Sequence, residues 1–228
     1  MAPRLSTRIS IRWNNEPPSE PTITTVMSVG SHFVDLRVNK ADQTIDWAFA
    51  GRREIVSQDP LQCRWYHVID SRNVFEPDEG SFTKLPNGDD LETGSMPCSE
   101  RNNEITPYEE VWRALPVEGA GPHWILQSDH EDSTAFVGCV GGVFIAMQQR
   151  RQGGSFAVVK EEFVGVEGQP PRWERRYVSG EFHAQLPSLA CRESSTFVGE
   201  KVPGTGSSWK MGDEVEMGQR LYKVVAIE

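Results

Sequence analysis

The sequence predicts an all-β protein made of two consecutive antiparallel, barrel-like halves. Apolar and polar residues alternate with a period of two in most segments, which is typical of half-buried antiparallel strands. The 20 glycines and 15 prolines separate short apolar runs, as turns separate strands. No segment has the strand–helix alternation of a parallel α/β fold, and each half has enough strands to close into a small barrel.

The strands of the first half follow one another at short intervals. Residues 34–38 and 45–49 alternate and are joined by a polar hairpin loop at 39–43. Asn87-Gly88 lies between two further short runs, and an Asn-Gly pair favours a tight hairpin turn. Strands are also predicted at residues 9–13 and 63–70.

Residues 108–113 have two interpretations. Thr106-Pro107-x-Glu109 fits a helix capping box with proline at the first helical position. The same segment also suits a strand, and the residues alone leave both open.

A break between the halves is predicted at residues 116–122, where the composition turns to Pro, Gly and Ala. We therefore divide the chain into an N-terminal barrel, residues 1–116, and a C-terminal barrel, residues 117–228. The second half has predicted strands at residues 124–127, 134–140, 143–149, 156–160, 173–178 and 221–227.

Charge and composition exclude several classes of partner. The chain has 23 Lys and Arg against 33 Asp and Glu, a formal net charge of −10. Phosphate backbones and anionic membranes attract basic surfaces, so we expect no nucleic acid and no membrane as partner. An N-terminus without an apolar signal region and the lack of a membrane-length apolar run predict a cytoplasmic protein.

The sequence contains no recognisable cofactor or metal motif. There is no Gly-x-Gly-x-x-Gly, no P-loop, no His-Glu-x-x-His and no Gly-x-Ser-x-Gly. The four cysteines are too widely spaced for a zinc or redox motif and are predicted to be free and mostly buried. We therefore expect no cofactor and no metal centre.

The densest polar constellation is formed by Trp65, His67, Asp70 and Arg72. Along a regular strand Trp65, His67 and Ile69 share one face, and Asp70 lies on the other. In one interpretation His67 or Asp70 is a catalytic acid or base inside a barrel. In the other, Asp70 and Arg72 fix the end of the strand and His67 is a satisfied structural group. We favour the second.

Five acidic residues surround the Asn-Gly hairpin, namely Asp78, Glu79, Asp89, Asp90 and Glu92. Several carboxylates together could hold Ca²⁺, but this spacing matches no calcium loop. A solvated acidic face is the favoured interpretation.

Aromatic residues are the candidates for a ligand site. Several of the seven tryptophans lie in predicted strands, so some should point into a barrel. The interior of a small barrel is either filled by side chains or lined by them around one small ligand. The candidate ligand-binding residues are Trp47, Trp65, His67, Tyr108, Trp112, Trp124, Phe144 and Tyr177.

A series of short motifs runs through the first half in a fixed order. They are Arg8-Ile-Ser-Ile-Arg-Trp13, Phe33-Val-Asp-Leu-Arg-Val38, Asp46-Trp-Ala-Phe-Ala-Gly51, His67-Val-Ile-Asp-Ser-Arg72, Asp78-Glu-Gly80, Leu85-Pro-Asn-Gly88, Leu91-Glu-Thr-Gly94 and Tyr108-Glu-Glu-Val-Trp-Arg113. Over about residues 8–113 they resemble the Hri family of fungal proteins, named for interaction with a yeast casein kinase I. The second half resembles it more loosely. The resemblance implies two consecutive lipocalin-like β-barrels and a strand at 108–113, and it supplies no catalytic residues.

Two functions follow from this fold. The first is a barrel that binds a hydrophobic small molecule, as a cofactor-free isomerase or cyclase of fungal secondary metabolism that preorganises its substrate for a pericyclic, Diels–Alder-type reaction. The second is a non-catalytic interaction protein that docks on a protein kinase or another protein partner. The divergent aromatic strands of the second half favour the first.

Overall fold

The computed structural model describes residues 2–98, 101–117, 122–152, 154–165, 170–190 and 209–228. Strands dominate these ranges, and a short 3-10 helix lies at His183–Gln185. The predicted all-β class with two barrel-like units is therefore confirmed.

The first unit contains β1 (Arg4–Trp13), β2 (Thr22–Val29), β3 (His32–Asn39), β4 (Ile45–Gln58), β5 (Leu61–Asp70), β6 (Asp78–Lys84), β7 (Asp90–Cys98) and β8 (Glu104–Leu115). Each strand pairs antiparallel with the next, and β8 returns to β1, so the sheet is a closed eight-stranded barrel. The predicted Asn-Gly hairpin joins β6 to β7, and Gly88 has the positive φ of 90° that this turn requires. Residues 108–113 lie in β8, so the strand interpretation is correct and the helix is wrong.

The second unit contains β9 (Trp124–Asp129), β10 (Ser133–Val140), β11 (Val143–Arg150), β12 (Phe156–Val164), β13 (Arg172–Ser179), β14 (Glu214–Met217) and β15 (Arg220–Ile227). Their order in the sheet is β13-β12-β11-β10-β9-β15-β14. Over the described ranges this sheet is antiparallel and open, with β13 and β14 at its edges. β8 ends at Leu115 and β9 begins at Trp124, with residues 118–121 outside the described part.

The two sheets share one hydrophobic core. The outer face of the barrel supplies Met27, Val34 and Leu36, and the second sheet supplies Phe136 and Ile145, among others. These residues are almost completely buried. Alternation along β2 and β3 thus places Met27, Val34 and Leu36 on the outside of the barrel, where the second sheet covers them.

A close approach between the sheets occurs at Gly138 on β10. A Cβ at this position would lie 2.4 Å from the sulfur of Met27, so glycine allows β10 to pack directly on β2. Gln149 adds a polar link, because its amide accepts a hydrogen bond from the Asp70 N–H at 2.9 Å and donates one to the Asp70 carbonyl at 2.7 Å.

The opposite face of the second sheet has its own core. Trp124, Leu126 and Phe144 lie there, and Phe182 and Leu186, beside the 3-10 helix, pack over them. Glu161 on β12 is fully buried and accepts hydrogen bonds from the Ser188 hydroxyl and from the backbone N–H groups of residues 189 and 190. This carboxylate anchors the segment that covers the face.

Three of the four cysteines are described. Cys63, Cys98 and Cys139 are free and buried, as predicted, and Cys191 lies outside the described residues. Burial raises the pKa of the Cys139 thiol to about 12, so it stays protonated at neutral pH. Among the described residues, no helix has the length and apolar character needed to cross a bilayer.

Candidate functional site

The interior of the first barrel contains a partly open cavity of about 80 Å³. A buried water needs roughly 10–15 Å³ on this measure, so the cavity has room for about five waters or a ligand with a comparable number of heavy atoms. Charged and aromatic side chains both face it. Among those that line it are Asp35, Arg37, Asp78, Glu92 and Glu110, together with Phe33, Phe49, Trp65, Tyr108 and Trp112.

Arg37 on β3 is the central cation of the barrel interior. Its guanidinium donates to Asp35 Oδ2 at 2.9 Å and to Glu110 Oε1 at 3.4 Å, and all three residues are buried. Aromatic rings surround the guanidinium carbon at 5.1 to 5.7 Å, within the range of cation–π attraction. They belong to Trp47, Phe49 and Trp112. The charge of Arg37 is therefore already matched by two carboxylates.

A second buried arginine, Arg8, also forms an ion pair with Glu110. Arg8 on β1 donates through Nη1 to Glu110 and through Nε to Glu20 Oε2 at 2.7 Å. Burial acts to raise the pKa of Glu20, but the hydrogen bonds and charge of Arg8, with Thr22, hold it below its ordinary value. Arg8 thus stabilises Glu20 in the ionised form, while Glu110 is paired with both Arg8 and Arg37.

Glu92 and Asp78 differ from these carboxylates, because within the described ranges neither forms an ion pair with lysine or arginine. Glu92 is 5% exposed, and its Oε1 accepts a hydrogen bond from the Tyr108 hydroxyl at 2.9 Å. Burial, with the charges of Glu110 and Asp78, raises the pKa of Glu92 well above its ordinary value. Burial likewise raises the pKa of Asp78 and of Tyr108. Burial therefore disfavours the ionised forms of Glu92 and Asp78 in a cavity that Arg4 and Arg53 also line.

The predicted solvated acidic face is wrong for Asp89, Asp90 and Glu92, which are buried. Asp90 pairs with Arg4 and Lys84. Asp90 and Glu92 lie two residues apart on β7 and therefore share the face that turns into the barrel, where Glu92 lines the cavity. The two remaining pairs of this region are Arg113 with Asp89 and Arg64 with Glu79.

His67 and Asp70 form a buried hydrogen-bonded pair that does not line the cavity. Asp70 Oδ2 lies 2.8 Å from His67 Nδ1 and accepts from Trp47 Nε1 at 2.8 Å, while Oδ1 accepts the backbone N–H groups of Arg72 and Val74. The two bonds to backbone N–H groups fix the turn after β5, and the other two hold the side chains of His67 and Trp47. The arrangement supports the structural interpretation of Asp70 and Arg72 that the sequence favours.

The sequence predicts His67 and Ile69 on one face of β5 and Asp70 on the other, and this assignment is wrong for Ile69 and Asp70. Residue Gly51 of β4 pairs with His67, and Ala50 pairs with Ile69, so Val68 is an extra residue in a β-bulge. The bulge reverses the alternation, and therefore His67 and Asp70 both point into the barrel while Ile69 joins the core between the sheets.

The predicted ligand-binding aromatics fall into three groups. Trp65, Tyr108 and Trp112 line the cavity, whereas Trp47 and His67 lie in the barrel interior behind it. The others belong to the second unit: Trp124 and Phe144 lie in its own core, and Tyr177 packs at the contact between the units, where its hydroxyl donates to the carbonyl of Gln43.

Sequence reasoning missed the charged residues at the centre of the barrel, Asp35, Arg37 and Glu110. The signal was present, because Asp35 and Arg37 alternate with Val34, Leu36 and Val38. The alternation predicts a half-buried strand with one face on a core, but it does not say which side of the barrel that core occupies. The apolar face packs on the second sheet, and the charged face lines the interior.

A closed antiparallel barrel with a charged interior, joined to a second antiparallel sheet by an apolar core, defines a class of two-unit all-β proteins. The chain belongs to the family whose model is described as Protein HRI1, which matches residues 4–213. The crystal structure of the uncharacterized protein YLR301w from Saccharomyces cerevisiae is similar in fold, with a TM-score of 0.77, 15% identity and 99% of each chain covered. The search of the curated proteins found no match.

Proposed function

We propose that the first barrel binds a small polar ligand in its interior cavity. The observation that carries this proposal is a partly open cavity whose wall combines aromatic rings with two carboxyl groups, Glu92 and Asp78, that form no ion pair among the described residues. Binding sites are typically concave, largely preformed and lined by aromatic surface with a few polar groups that fix orientation. A cavity filled only for stability would not need Glu92 and Asp78 at its surface, because a buried unpaired carboxyl group is costly.

The size of the cavity decides between ligand classes. Sites for drug-sized molecules occupy about 300–1,000 Å³, whereas this cavity measures about 80 Å³. A terpenoid or polyketide chain does not fit that volume, so the geometry favours a small polar ligand over the substrate of a pericyclic cyclase. The casein kinase contact implied by the family resemblance stays a prediction.

The test is a ligand-observed NMR screen of polar fragments with at most eight heavy atoms, against two serine variants. Ser6 lines the cavity, so Ser6→Phe fills it, whereas Ser95 is exposed on β7 and Ser95→Phe is the matched control. We expect fragments that bind the wild type and Ser95→Phe but not Ser6→Phe. The proposal fails if every fragment that binds does so equally to Ser6→Phe.

The Ser6→Phe result is interpretable only in a folded protein. Its circular dichroism spectrum and thermal midpoint are compared with those of the wild type. If it unfolds, Ser28→Leu, which narrows the same cavity from β2, replaces it.

A further inference from the structure

We propose that the ligand of the first barrel is a small carboxylate anion, held by the two arginines Arg4 and Arg53 in the cavity wall. This inference rests on the proposed function and names its ligand class. It follows from the grouping of basic and hydroxyl side chains in one part of the wall, and from the way in which the acids of the wall are paired or buried.

Basic and hydroxyl side chains lie together on the inner face of neighbouring strands. Arg4 and Ser6 alternate on β1 and share its inner face, and Arg4 lies directly opposite Ser28 of β2. Arg53 reaches the same region from β4, where its backbone N–H donates to the carbonyl of Ser31 in the β2–β3 turn at 2.7 Å. The side chains of Arg4, Ser6, Ser28 and Arg53 all line the cavity. Guanidinium groups and hydroxyls are hydrogen-bond donors suited to a carboxylate.

The two arginines act on the same part of the barrel interior. The thiol of Cys63 on β5 reports this, because its electrostatic environment includes both of them. Burial raises the pKa of this thiol, while the charges of Arg53 and Arg4 act to lower it and that of Glu92 acts to raise it. The positive potentials of the two arginines therefore overlap, and an anion between them is attracted by both.

The ion pair of Arg4 leaves this region positive. Arg4 pairs with Asp90, and the same carboxylate also pairs with Lys84 at 2.7 Å. One carboxylate thus serves two cations. A ligand carboxylate would supply a second anion, and charges removed from water are tolerated when they are paired.

The acids of the cavity wall do not supply that anion. Asp35 and Glu110 are paired with Arg37. Burial raises the pKa of Glu92 and of Asp78, which disfavours their ionised forms. Neither of the two proposed arginine ligands is among the main charges that act on these two acids. The arginines and the acids therefore form separate regions of one wall.

The volume of the cavity limits the carboxylate to a short chain. About 80 Å³ corresponds to roughly five waters, and propanoate has three carbons and two oxygens. Phe33 and Phe82 also line the cavity and would cover the apolar end of such a molecule.

The experiment compares three probes of nearly equal size by isothermal titration calorimetry on the full chain, in a buffer without carboxylates. The probes are propanoate, propanamide and n-propylamine, which present an anion, a neutral group of the same shape and a cation. We expect propanoate to bind at least tenfold more tightly than propanamide, with no binding of the amine.

Two arginine variants locate the anion. Arg53→Gln and Arg4→Gln should each weaken propanoate at least tenfold, because each removes one positive charge from the wall. Arg52→Gln is the control for the first, since Arg52 is the exposed neighbour on β4. Lys84→Gln is the control for the second, since it removes the other partner of Asp90. Circular dichroism and the thermal midpoint show which variants fold; if one arginine variant unfolds the other decides, and the comparison of probes on the wild type needs no variant.

The outcomes separate this inference from the proposed function. If propanamide or the amine binds as tightly as propanoate, and Ser6→Phe abolishes that binding, the barrel is a ligand site but not a carboxylate site. If no probe binds at millimolar concentration, or if propanoate binds equally to the wild type and to the folded arginine variants, the carboxylate inference is overturned. In that case the fragment screen alone decides the proposed function.

Discussion

At the scale of single residues, the interior of the first barrel combines an aromatic and apolar cluster with paired charges. Arg37 and Arg8 share Glu110, and each has a further carboxylate partner. Removing such ions from water is expensive, and their attraction repays the cost only when every charge is matched. Loss of one partner should therefore cost more than the pair itself contributes.

Arg37→Met should destabilise the protein by about 3–5 kcal/mol, because Asp35 loses its arginine partner in a buried site. Urea unfolding at pH 7 measures this. The control Arg12→Met removes an ion pair whose side chains are more than a third exposed and should change the free energy of unfolding by less than about 1 kcal/mol. Equal effects of the two substitutions would contradict the account.

Glu92→Gln should raise the free energy of unfolding at neutral and higher pH by about 1–3 kcal/mol, the scale of one unsatisfied buried polar group. The folded-state pKa of Glu92 is raised by burial and by Glu110 and Asp78. Protonation of Glu92 therefore favours folding, and this contribution is complete below the ordinary pKa and lost as the pH rises through the folded-state pKa. Tyr108 and Arg37 also face this group and remain in the variant.

The measurement for this variant is urea unfolding between pH 4 and 8. Stability of the wild type should fall relative to Glu92→Gln as the pH rises, with Glu109→Gln following the wild type. Parallel curves for the wild type and Glu92→Gln would show that Glu92 does not take up a proton on folding.

At the scale of elements, strand alternation predicted where the strands lie but not which face meets which surface. In β3 the sequence shows that Asp35 and Arg37 alternate with apolar neighbours. The apolar face of such a strand can point into the barrel or, when a second sheet covers the outside, away from it. The extra residue Val68 in β5 is a second example. Nothing in the local sequence marks a bulge there, because it is set by pairing with Gly51 on another strand.

Gly51→Ala tests that bulge. A Cβ at Gly51 would lie 1.9 Å from the carbonyl oxygen of Tyr66, so backbone must move and the bulge that turns His67 inward is strained. We expect a loss of about 1–3 kcal/mol or more in thermal or urea unfolding. Gly165→Ala, where nothing lies within 4 Å of the new Cβ, should change stability by about 0.5 kcal/mol or less. A neutral Gly51→Ala would mean that the strands pair differently.

At the scale of the whole molecule, the sequence predicts two halves divided at residue 116, whereas the two sheets share one hydrophobic core. The two sheets are consecutive in the chain, but Met27 and Val34 of the barrel pack with Phe136 and Ile145 of the second sheet. The candidate ligand residues divide along the same line, since the cavity belongs to the first barrel and Trp124 to the core of the second unit. Sequence composition predicted a break at residues 116–122, but it carried no signal for the contact between the two sheets.

Phe136→Ala should lower the stability of both units together by about 3–5 kcal/mol, because the side chain is fully buried between them. Native-state hydrogen exchange resolves the two sheets separately, and amides of both β3 and β15 should lose protection. Phe163→Ala is the control, since Phe163 is about half exposed. Loss of protection in β15 alone would indicate that the barrel is stable by itself.

The most direct test of the central claim, that the cavity of the first barrel binds a small polar ligand, is a titration of the folded protein with the tightest-binding fragment of the screen, followed through the tryptophan indole N–H signals in ¹H–¹⁵N spectra. Trp112 and Trp65 line the cavity, and Trp124, buried in the core of the second unit, is the internal reference. The account predicts saturable shifts of the Trp112 and Trp65 signals while the Trp124 signal stays in place. Unchanged Trp112 and Trp65 signals, or shifts of the same size at Trp124, would contradict it.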